Sequence, residues 1–230
     1  MTARVALVTG SEPFAGLATN PAQQLLEPLA GHVLTGWRIV TRAMPVSYAR
    51  LPGLIDALVA ELRPALVLSL GLAPGSPVLR LERMALNVAD FRVADAEGAA
   101  PRAATFSPGR PQALAASWDA PALVARLLDA GIPAVGSWHA GTHLCNLTLY
   151  SYLDALARRG LTAPCGFMHL TYTPDQVAAF LREAADGVDT APTTLRELPS
   201  LPLDLQARAA CIVLEAMAAS VAATEEESRP

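Results

Sequence analysis

The chain has 230 residues, of which 52% are hydrophobic and 17% are charged, and its net charge is −4. This composition is too apolar for a disordered chain and predicts a well-packed globular protein. The basic residues form no cluster, which argues against nucleic acid or a membrane surface as the main partner. No export signal is apparent, and no apolar run reaches the roughly 18 residues that span a membrane. Three unpaired cysteines are typical of a reducing compartment, so we expect a cytoplasmic protein.

Buried strands and amphipathic helices alternate along the chain. Strands are predicted at 4–10, 37–46, 65–71, 84–88, 134–138 and 165–172. Helices are predicted at 21–30, 52–64, 120–130, 143–159, 174–185 and 203–222. This alternation is typical of an α/β fold with a mostly parallel central sheet. Because no linker or internal repeat is visible, we interpret residues 1–230 as a single domain, with 224–230 as a disordered tail.

Several connections between these elements have the composition of functional loops. The loops 94–117 and 187–202 are long and contain several prolines, and loops of that length are often lids or mobile segments. Ligands of open α/β sheets bind at the carboxyl ends of the strands. We therefore expect four glycine-marked or polar segments to meet at one edge: TGSEPFAG, GLAPG, SWHAGTHLC and MHLTYTPDQ.

Cys145 is a candidate nucleophile because it is expected in the first turn of a helix, with Thr142 as the N-cap. Unpaired N–H groups and the helix dipole favour a thiolate there, and the same groups can stabilise an oxyanion. Free cysteines are also among the most buried residues, so a packed thiol fits equally well. Cys165 and Cys211 are interpreted as packing residues.

A nucleophilic cysteine needs a base, and the base needs a third group that orients it. His169 lies late in a buried strand, where a histidine is either a hydrogen-bonded core residue or an active-site base. Glu82 lies between apolar neighbours in LRLERMAL and is either a surface carboxylate or the orienting group. The residues alone leave both alternatives open.

Cofactor motifs are weak in this sequence. His139 and His143 are four residues apart, as two zinc ligands on a helix would be. Gly141 and Thr142 interrupt that helix, however, and no fourth ligand has a matching spacing. The segment TGSEPFAG also departs from the GxGxxG pattern of dinucleotide sites. We expect neither a metal nor a cofactor.

Five segments occur in the order of known motifs: VTGSEPFAG, LGLAPG, ERMALNVADFRVADAEGAAP, SWHAGTHLCN and GFMHLTYTPDQV. Together they resemble the pyroglutamyl peptidase I family, also called pyrrolidone-carboxylate peptidases, over most of the chain. The resemblance implies a three-layer α/β/α sandwich and a cysteine peptidase that removes N-terminal pyroglutamate from peptides. It further implies catalysis without metal or cofactor, and a homo-oligomer, either a dimer or a tetramer.

The resemblance also assigns catalytic roles to four residues. It implies Cys145 as nucleophile, His169 as base and Glu82 as the orienting carboxylate of a triad that acts through a thioester. Arg92 is implied as a further group that stabilises the oxyanion.

The pocket for the lactam ring is implied at Phe14, Ser11, Leu72 and Thr142. The family's motif GFEPFGG has a phenylalanine at the position of Ser11 and a glycine at that of Ala15. One wall of the pocket therefore loses its aromatic ring, which affects the expected preference for pyroglutamate.

Two alternatives to the peptidase remain at this stage. The chain could be an inactive or repurposed relative that binds a small lactam or a peptide N-terminus without turnover, a hypothesis that the altered position of Ser11 favours. It could also be a different α/β hydrolase or acyl-transfer enzyme that acts on another lactam or amide.

Overall fold

The computed structural model describes residues 3–185 and 198–227, so most of the predicted loop 187–202 lies outside the described residues. The strands of the main sheet are β1 (Arg4–Ser11), β2 (Trp37–Met44), β3 (Leu66–Leu72), β4 (Leu79–Glu82), β9 (Ala134–Ser137) and β10 (Cys165–Leu170). Four short strands form two separate two-stranded sheets: β5 (Met84–Leu86), β6 (Val88–Ala89), β7 (Ala104–Thr105) and β8 (Ala113–Ala115). The helices are α1 (Pro21–Gln24), α2 (Leu26–Ala30), α3 (Leu51–Leu62), α4 (Ala120–Asp129), α5 (Leu144–Arg158), α6 (Pro174–Ala185) and α7 (Leu203–Glu227).

Within the described residues the main sheet has six strands in the order β2-β1-β3-β10-β4-β9. The first four of these are parallel to one another, whereas β4 runs antiparallel to β10 and carries β9 with it. Four of the six strands thus share one direction, and the predicted mostly parallel α/β sheet is confirmed.

Two apolar cores cover the two faces of this sheet. One contains residues of α1, α2, α4 and α7, and the other contains residues of α3 and α5. Strand β3 is buried throughout up to Gly71, because helices pack on both of its faces. The result is the three-layer α/β/α arrangement.

The helix predicted at 21–30 is divided in two by Pro28. Asn20 caps α1 as expected, since its side chain accepts a hydrogen bond from the N–H of Ala22 at 3.0 Å. Proline has no N–H, and its ring would collide with the carbonyl of Gln24, four residues earlier. The chain therefore ends α1 at Gln24 and begins α2 at Leu26.

The direction of β9 corrects one prediction about the site. The segment SWHAGTHLC was expected at the same sheet edge as the other carboxyl ends, but β9 runs opposite to β10, so its carboxyl end does not lie there. The cause is β4, a strand that we did not predict and that the chain inserts between β10 and β9. The residues between β9 and α5 must therefore run back toward the carboxyl end of β10 before the chain reaches Cys145.

The last helix, α7, is longer than the predicted helix at 203–222. Among the described residues, one helix, Leu203–Thr224, is by length and composition alone able to cross a membrane, with 22 residues and a mean hydropathy of 1.4. This is weak evidence, because core helices meet the same criterion, and α7 packs Ala210, Val213 and Leu214 into the core. The helix continues to Glu227, into the predicted tail, and residues 228–230 lie outside the described part.

The long segment 94–117 is anchored at several points. The buried carboxylate of Asp95 accepts hydrogen bonds from the backbone of Tyr48, Glu97 and Ala99 at 2.6–2.9 Å. Burial alone would raise the pKa of Asp95, but these three bonds outweigh it and lower the pKa. Farther along, the Arg110 guanidinium donates to Asp154 on α5 at 2.6 Å. These hydrogen bonds fix the segment to the rest of the protein at Asp95 and at Arg110.

Candidate active site

Cys145 lies in the first turn of α5, directly above strand β3. A Cβ placed on Gly71 would lie 3.1 Å from the Cys145 sulfur, which shows how closely the sulfur approaches this strand. The N-cap of α5 is His143 and not Thr142, as was predicted. The Thr142 hydroxyl instead donates to the Asp90 carbonyl at 2.9 Å, which holds the chain in place before the helix begins.

His169 and Glu82 form a buried pair beside the cysteine. Nδ1 of His169 donates a hydrogen bond to Oε1 of Glu82 at 2.7 Å, and the Glu82 side chain is only 1% exposed. The second carboxylate oxygen, Oε2, has no partner within the described residues. Because Nδ1 is occupied, the other imidazole nitrogen, Nε2, is the one available to Cys145.

The Cys145 sulfur and the His169 imidazole both lie beside Gly71, close enough to interact electrostatically. Burial disfavours a charged imidazole, yet the electrostatic interactions of the imidazole with Cys145 and Glu82 outweigh it. These interactions raise the pKa of His169 to about 9. At neutral pH the imidazole is therefore protonated, and the structure brings together the three side chains that the resemblance implied.

The other two cysteines differ from Cys145 in their surroundings. Cys165 is fully buried in β10, and its burial raises the pKa of its thiol strongly. On α7, burial and the nearby Glu215 carboxylate raise the pKa of Cys211 as well. Both thiols are thereby kept protonated and unreactive at neutral pH.

The first turn of α5 keeps its N–H groups available. Among the residues that the structure describes, His143 makes no side-chain capping bond, since its Nε2 bonds the carbonyl of Val93 at 3.0 Å. The first N–H groups of a helix have no partner within the helix. They can therefore donate to a negatively charged oxygen that forms beside the sulfur.

Asn146 fixes the position of this helix start, which the sequence analysis missed. Its fully buried amide accepts from the N–H of Leu86 at 2.7 Å and donates to the carbonyls of Leu86 and Val88 at 2.8 and 3.2 Å. The residue that follows the cysteine thus ties α5 to β5 and β6. A buried polar side chain next to a candidate nucleophile was the available signal.

A row of aromatic rings lies next to the cysteine. The His143 ring is 3.9 Å from Phe91 and 5.7 Å from Phe14, measured between centroids. Burial lowers the pKa of His143 although the Val93 carbonyl and the Asp95 charge raise it, so this ring is neutral at pH 7. Sequence reasoning considered His143 only as a metal ligand and did not include it in the predicted pocket.

The other predicted site residues, Ser11, Leu72 and Arg92, are exposed or partly exposed. Ser11 ends β1 and Leu72 ends β3, and both are partly exposed at the same sheet edge. Arg92 is exposed and directly follows Phe91. No group of three or more His, Cys, Asp or Glu side chains that could hold a metal occurs within 3–185 and 198–227. His139 is exposed, and its Nδ1 accepts from the Gly141 N–H at 3.1 Å.

Comparison with known proteins identifies the family. A family model described as pyroglutamyl peptidase matches residues 4–220. The chain belongs to the pyroglutamyl peptidase family. It is 36% identical to pyrrolidone-carboxylate peptidase 1 of Ralstonia nicotianae, over 83% of this chain and 88% of that protein. It is 33% identical to the pyrrolidone-carboxylate peptidase of Pyrococcus furiosus, over 74% and 82%.

The fold agrees with solved structures of this family. The crystal structure of pyrrolidone carboxyl peptidase from Pyrococcus furiosus superimposes with a TM-score of 0.85 and 28% identity. The match covers 94% of this chain and 99% of that one. Ala15, where the resemblance implied a glycine, has the left-handed backbone that glycine favours, with φ 55°. The turn after Phe14 is thus retained.

The pH dependence of hydrolysis offers a test of the imidazole's charge. We expect kcat/KM to fall as the pH rises through about 9, because His169 then loses the proton that the leaving amine needs. Below that value the raised pKa keeps the imidazole charged, so this group causes no loss between pH 7 and 8. The measurement is kcat/KM of an arylamide substrate from pH 6 to 10.

Samples held at pH 10 and returned to pH 7 serve as the control for unfolding. An alkaline limb centred near 7 would mean that neither Cys145 nor Glu82 holds the proton on His169.

Proposed function

We propose that this chain is a cysteine peptidase that removes N-terminal pyroglutamate from peptides. Membership of the pyroglutamyl peptidase family supports the reaction class. The observation that carries the chemistry is the placement of Cys145 beside His169, whose Nδ1 is hydrogen bonded to Glu82. Cys145 is the nucleophile, His169 the general acid and base, and Glu82 the group that orients the imidazole.

Acylation follows from this arrangement. The Cys145 thiolate attacks the carbonyl carbon of the pyroglutamyl residue, and a new C–S bond forms. The carbonyl oxygen becomes an oxyanion, which accepts hydrogen bonds from first-turn N–H groups of α5, with Arg92 as a further candidate donor. One preorganised donor of this kind typically contributes about 3 kcal/mol. His169 then donates its proton to the leaving amine as the C–N bond breaks.

Deacylation uses the same groups in reverse. A water molecule attacks the thioester carbonyl while the now neutral His169 accepts a proton from it. The C–S bond breaks, pyroglutamate leaves, and the thiolate and imidazolium are restored. Glu82 stays hydrogen bonded to Nδ1 throughout, so Nε2 faces the reacting atoms in both halves of the cycle.

The lactam ring needs a flat apolar surface with a few polar contacts. Phe14 and the neutral His143 ring supply adjacent aromatic faces at the start of α5, the helix that carries Cys145. Ser11, Leu72 and Thr142 are the other proposed contacts, and Ser11 offers less apolar area than the family's phenylalanine. These contacts suit an uncharged N-terminal lactam, and none of them is a carboxylate that would pair with a free amine.

The cellular setting is part of the same proposal. Three free cysteines support a reducing cytoplasm, and a match to the family over residues 4–220 supports a single peptidase domain. The expected homo-oligomer, a dimer or a tetramer, rests on the family resemblance. Light scattering after size-exclusion chromatography measures it directly.

The decisive experiment is an assay of arylamine release from a pyroglutamyl arylamide, with alanyl and prolyl arylamides in parallel. We expect release from the pyroglutamyl substrate alone and complete loss after treatment with iodoacetamide at neutral pH. Mass spectrometry should find the alkyl group on Cys145, because Cys165 and Cys211 are kept protonated by their surroundings.

Other outcomes favour the alternatives. Binding of pyroglutamate without turnover, with a Cys145 that does not react with iodoacetamide, would favour the inactive relative that the change at Ser11 suggests. Turnover of other N-acyl or N-lactam arylamides in preference to pyroglutamyl would favour a different amide hydrolase.

A further inference from the structure

Gly71 is the strand residue that lies beneath the reacting groups. In the parallel register of β3 and β10 it pairs directly with His169. The residues around it in LVLSLGL are otherwise buried and mostly large and apolar. Gly71 is not among the glycines with a positive φ, so its backbone does not require a glycine. The reason for a glycine here must be space.

Two side chains occupy the space that a side chain at position 71 would need. A Cβ built on Gly71 would lie 2.6 Å from Cζ of Phe167 and 3.1 Å from Sγ of Cys145. Carbon atoms in contact are normally about 3.5–4.0 Å apart, and sulfur is larger than carbon. Neither neighbour could therefore stay where it is if Gly71 carried a methyl group.

The same two neighbours also contact His169. The Phe167 ring lies 4.8 Å from the imidazole, at an angle of 60°, and Cys145 interacts electrostatically with the same imidazole. The bare Cα of Gly71 thus borders a sulfur and a ring that both meet the imidazole. A side chain at position 71 would therefore change the distance between Cys145 and His169.

We propose that Gly71 is a positioning residue for the cysteine: its missing side chain provides the space in which the sulfur approaches His169. This inference rests on the proposed function, because it concerns the geometry of that catalytic pair. Gly71 touches the sulfur from below and makes no contact that the chemistry itself needs. Its contribution is to let α5 lie close enough to β3.

A Gly71→Ala variant should therefore lose turnover more than affinity. Relieving the 3.1 Å contact requires the sulfur to move by a few tenths of an ångström, and the Phe167 ring at 2.6 Å must move as well. A misplacement of about 1 Å can lower a rate by about 100-fold. We expect kcat to fall about 10- to 100-fold, with KM for the pyroglutamyl arylamide within about threefold of the wild type.

The readouts must separate positioning from general damage. We expect the pKa of His169, followed by NMR, to fall in Gly71→Ala, because the cysteine that raises it has moved away. The alkylation rate of Cys145 at pH 7 should fall for the same reason. Ser69→Ala, two residues earlier on the same face of β3, is the matched control and should leave kcat and both readouts unchanged.

A second variant deals with the contact to Phe167. Phe167→Leu removes the ring atoms Cζ and Cε1, so that the double variant Gly71→Ala/Phe167→Leu keeps only the conflict with the sulfur. If the sulfur is what matters, the double variant stays about 10-fold or more below Phe167→Leu in kcat. Recovery to the level of Phe167→Leu would assign the whole effect to ring packing and overturn the inference. The double variant also provides a folded protein if Gly71→Ala alone does not fold.

The proposed function and this inference can fail separately. A wild type that hydrolyses no pyroglutamyl arylamide would overturn the function, whereas the titration of His169 and the alkylation of Cys145 would still decide the role of Gly71. A folded Gly71→Ala with kcat within twofold of the wild type and an unchanged His169 titration would overturn the inference alone.

Discussion

Replacing Cys145 with alanine is expected to lower kcat for a pyroglutamyl arylamide by about 10⁴-fold or more. In the proposed mechanism the sulfur forms the covalent bond to the substrate, and no neighbouring group can take its place. Cys145 is only partly buried, so losing the sulfur should change the unfolding temperature little. Steady-state kinetics and thermal unfolding, measured on the same sample, test both expectations.

Cys211→Ala is the matched control because Cys211 is also partly buried and lies on α7, away from His169. This variant should keep the full kcat and its sensitivity to iodoacetamide. If Cys145→Ala retained even a tenth of the wild-type kcat, Cys145 would not be the nucleophile. The same variant should show a lower His169 pKa by NMR, because the cysteine is one of the groups that raise it.

Replacing Glu82 with glutamine is expected to lower kcat by about 10⁴-fold, the effect of the corresponding acid-to-amide change in a serine protease triad. Glutamine has the same shape, and its amide oxygen can still accept from Nδ1, but the negative charge is lost. The imidazolium is then less stable, so the pKa of His169 should fall as well. The measurements are kcat, KM and the NMR titration of His169.

The Glu82→Gln variant needs a check that it preserves the local structure and a control variant with another carboxylate. Trp118 donates to the backbone carbonyl of Glu82 at 2.9 Å, and the substitution leaves that bond intact. Glu97→Gln changes an exposed carboxylate that pairs with Arg50, and it should leave kcat unchanged. An unaltered kcat in Glu82→Gln would mean that His169 is oriented by packing against Phe167 rather than by the carboxylate.

Most of the elements could be predicted because their local signals are strong. Strands β1 and β3 are continuous apolar runs, and α5 has both helical spacing and a glycine, Gly160, just beyond its end. These signals depend only on residues that are close in the sequence, so they can be recognised without knowledge of the fold.

The missed features depend on contacts between distant segments. Strand β4 is only four residues long, and nothing local shows that it enters the sheet against the direction of β10. Thr142 is a good N-cap by type, but its hydroxyl finds the carbonyl of Asp90, 52 residues away. Helix α1 ends early because of Pro28, a signal that was present in the sequence and that the helical pattern concealed.

The candidate site likewise has features that the sequence predicted and features that it did not. The motifs pointed to Cys145, His169 and Glu82, and their spatial arrangement could only come from the fold. The sequence did not indicate the roles proposed for His143 and Gly71, because these depend on an uncapped helix start in one case and on room for a sulfur in the other. Sequence patterns report side chains that are present more readily than space that is kept free.

The reversed strand β4 has a consequence for how the protein becomes active during biogenesis. The pairing of Glu82 with His169 joins positions 87 residues apart, and it can form only after a late segment of the chain has entered the middle of the sheet. Contacts between such distant positions form slowly. A nascent chain that has not yet been synthesised beyond β10 therefore cannot cleave peptides, and recovery of activity on refolding would mark the closing of the sheet.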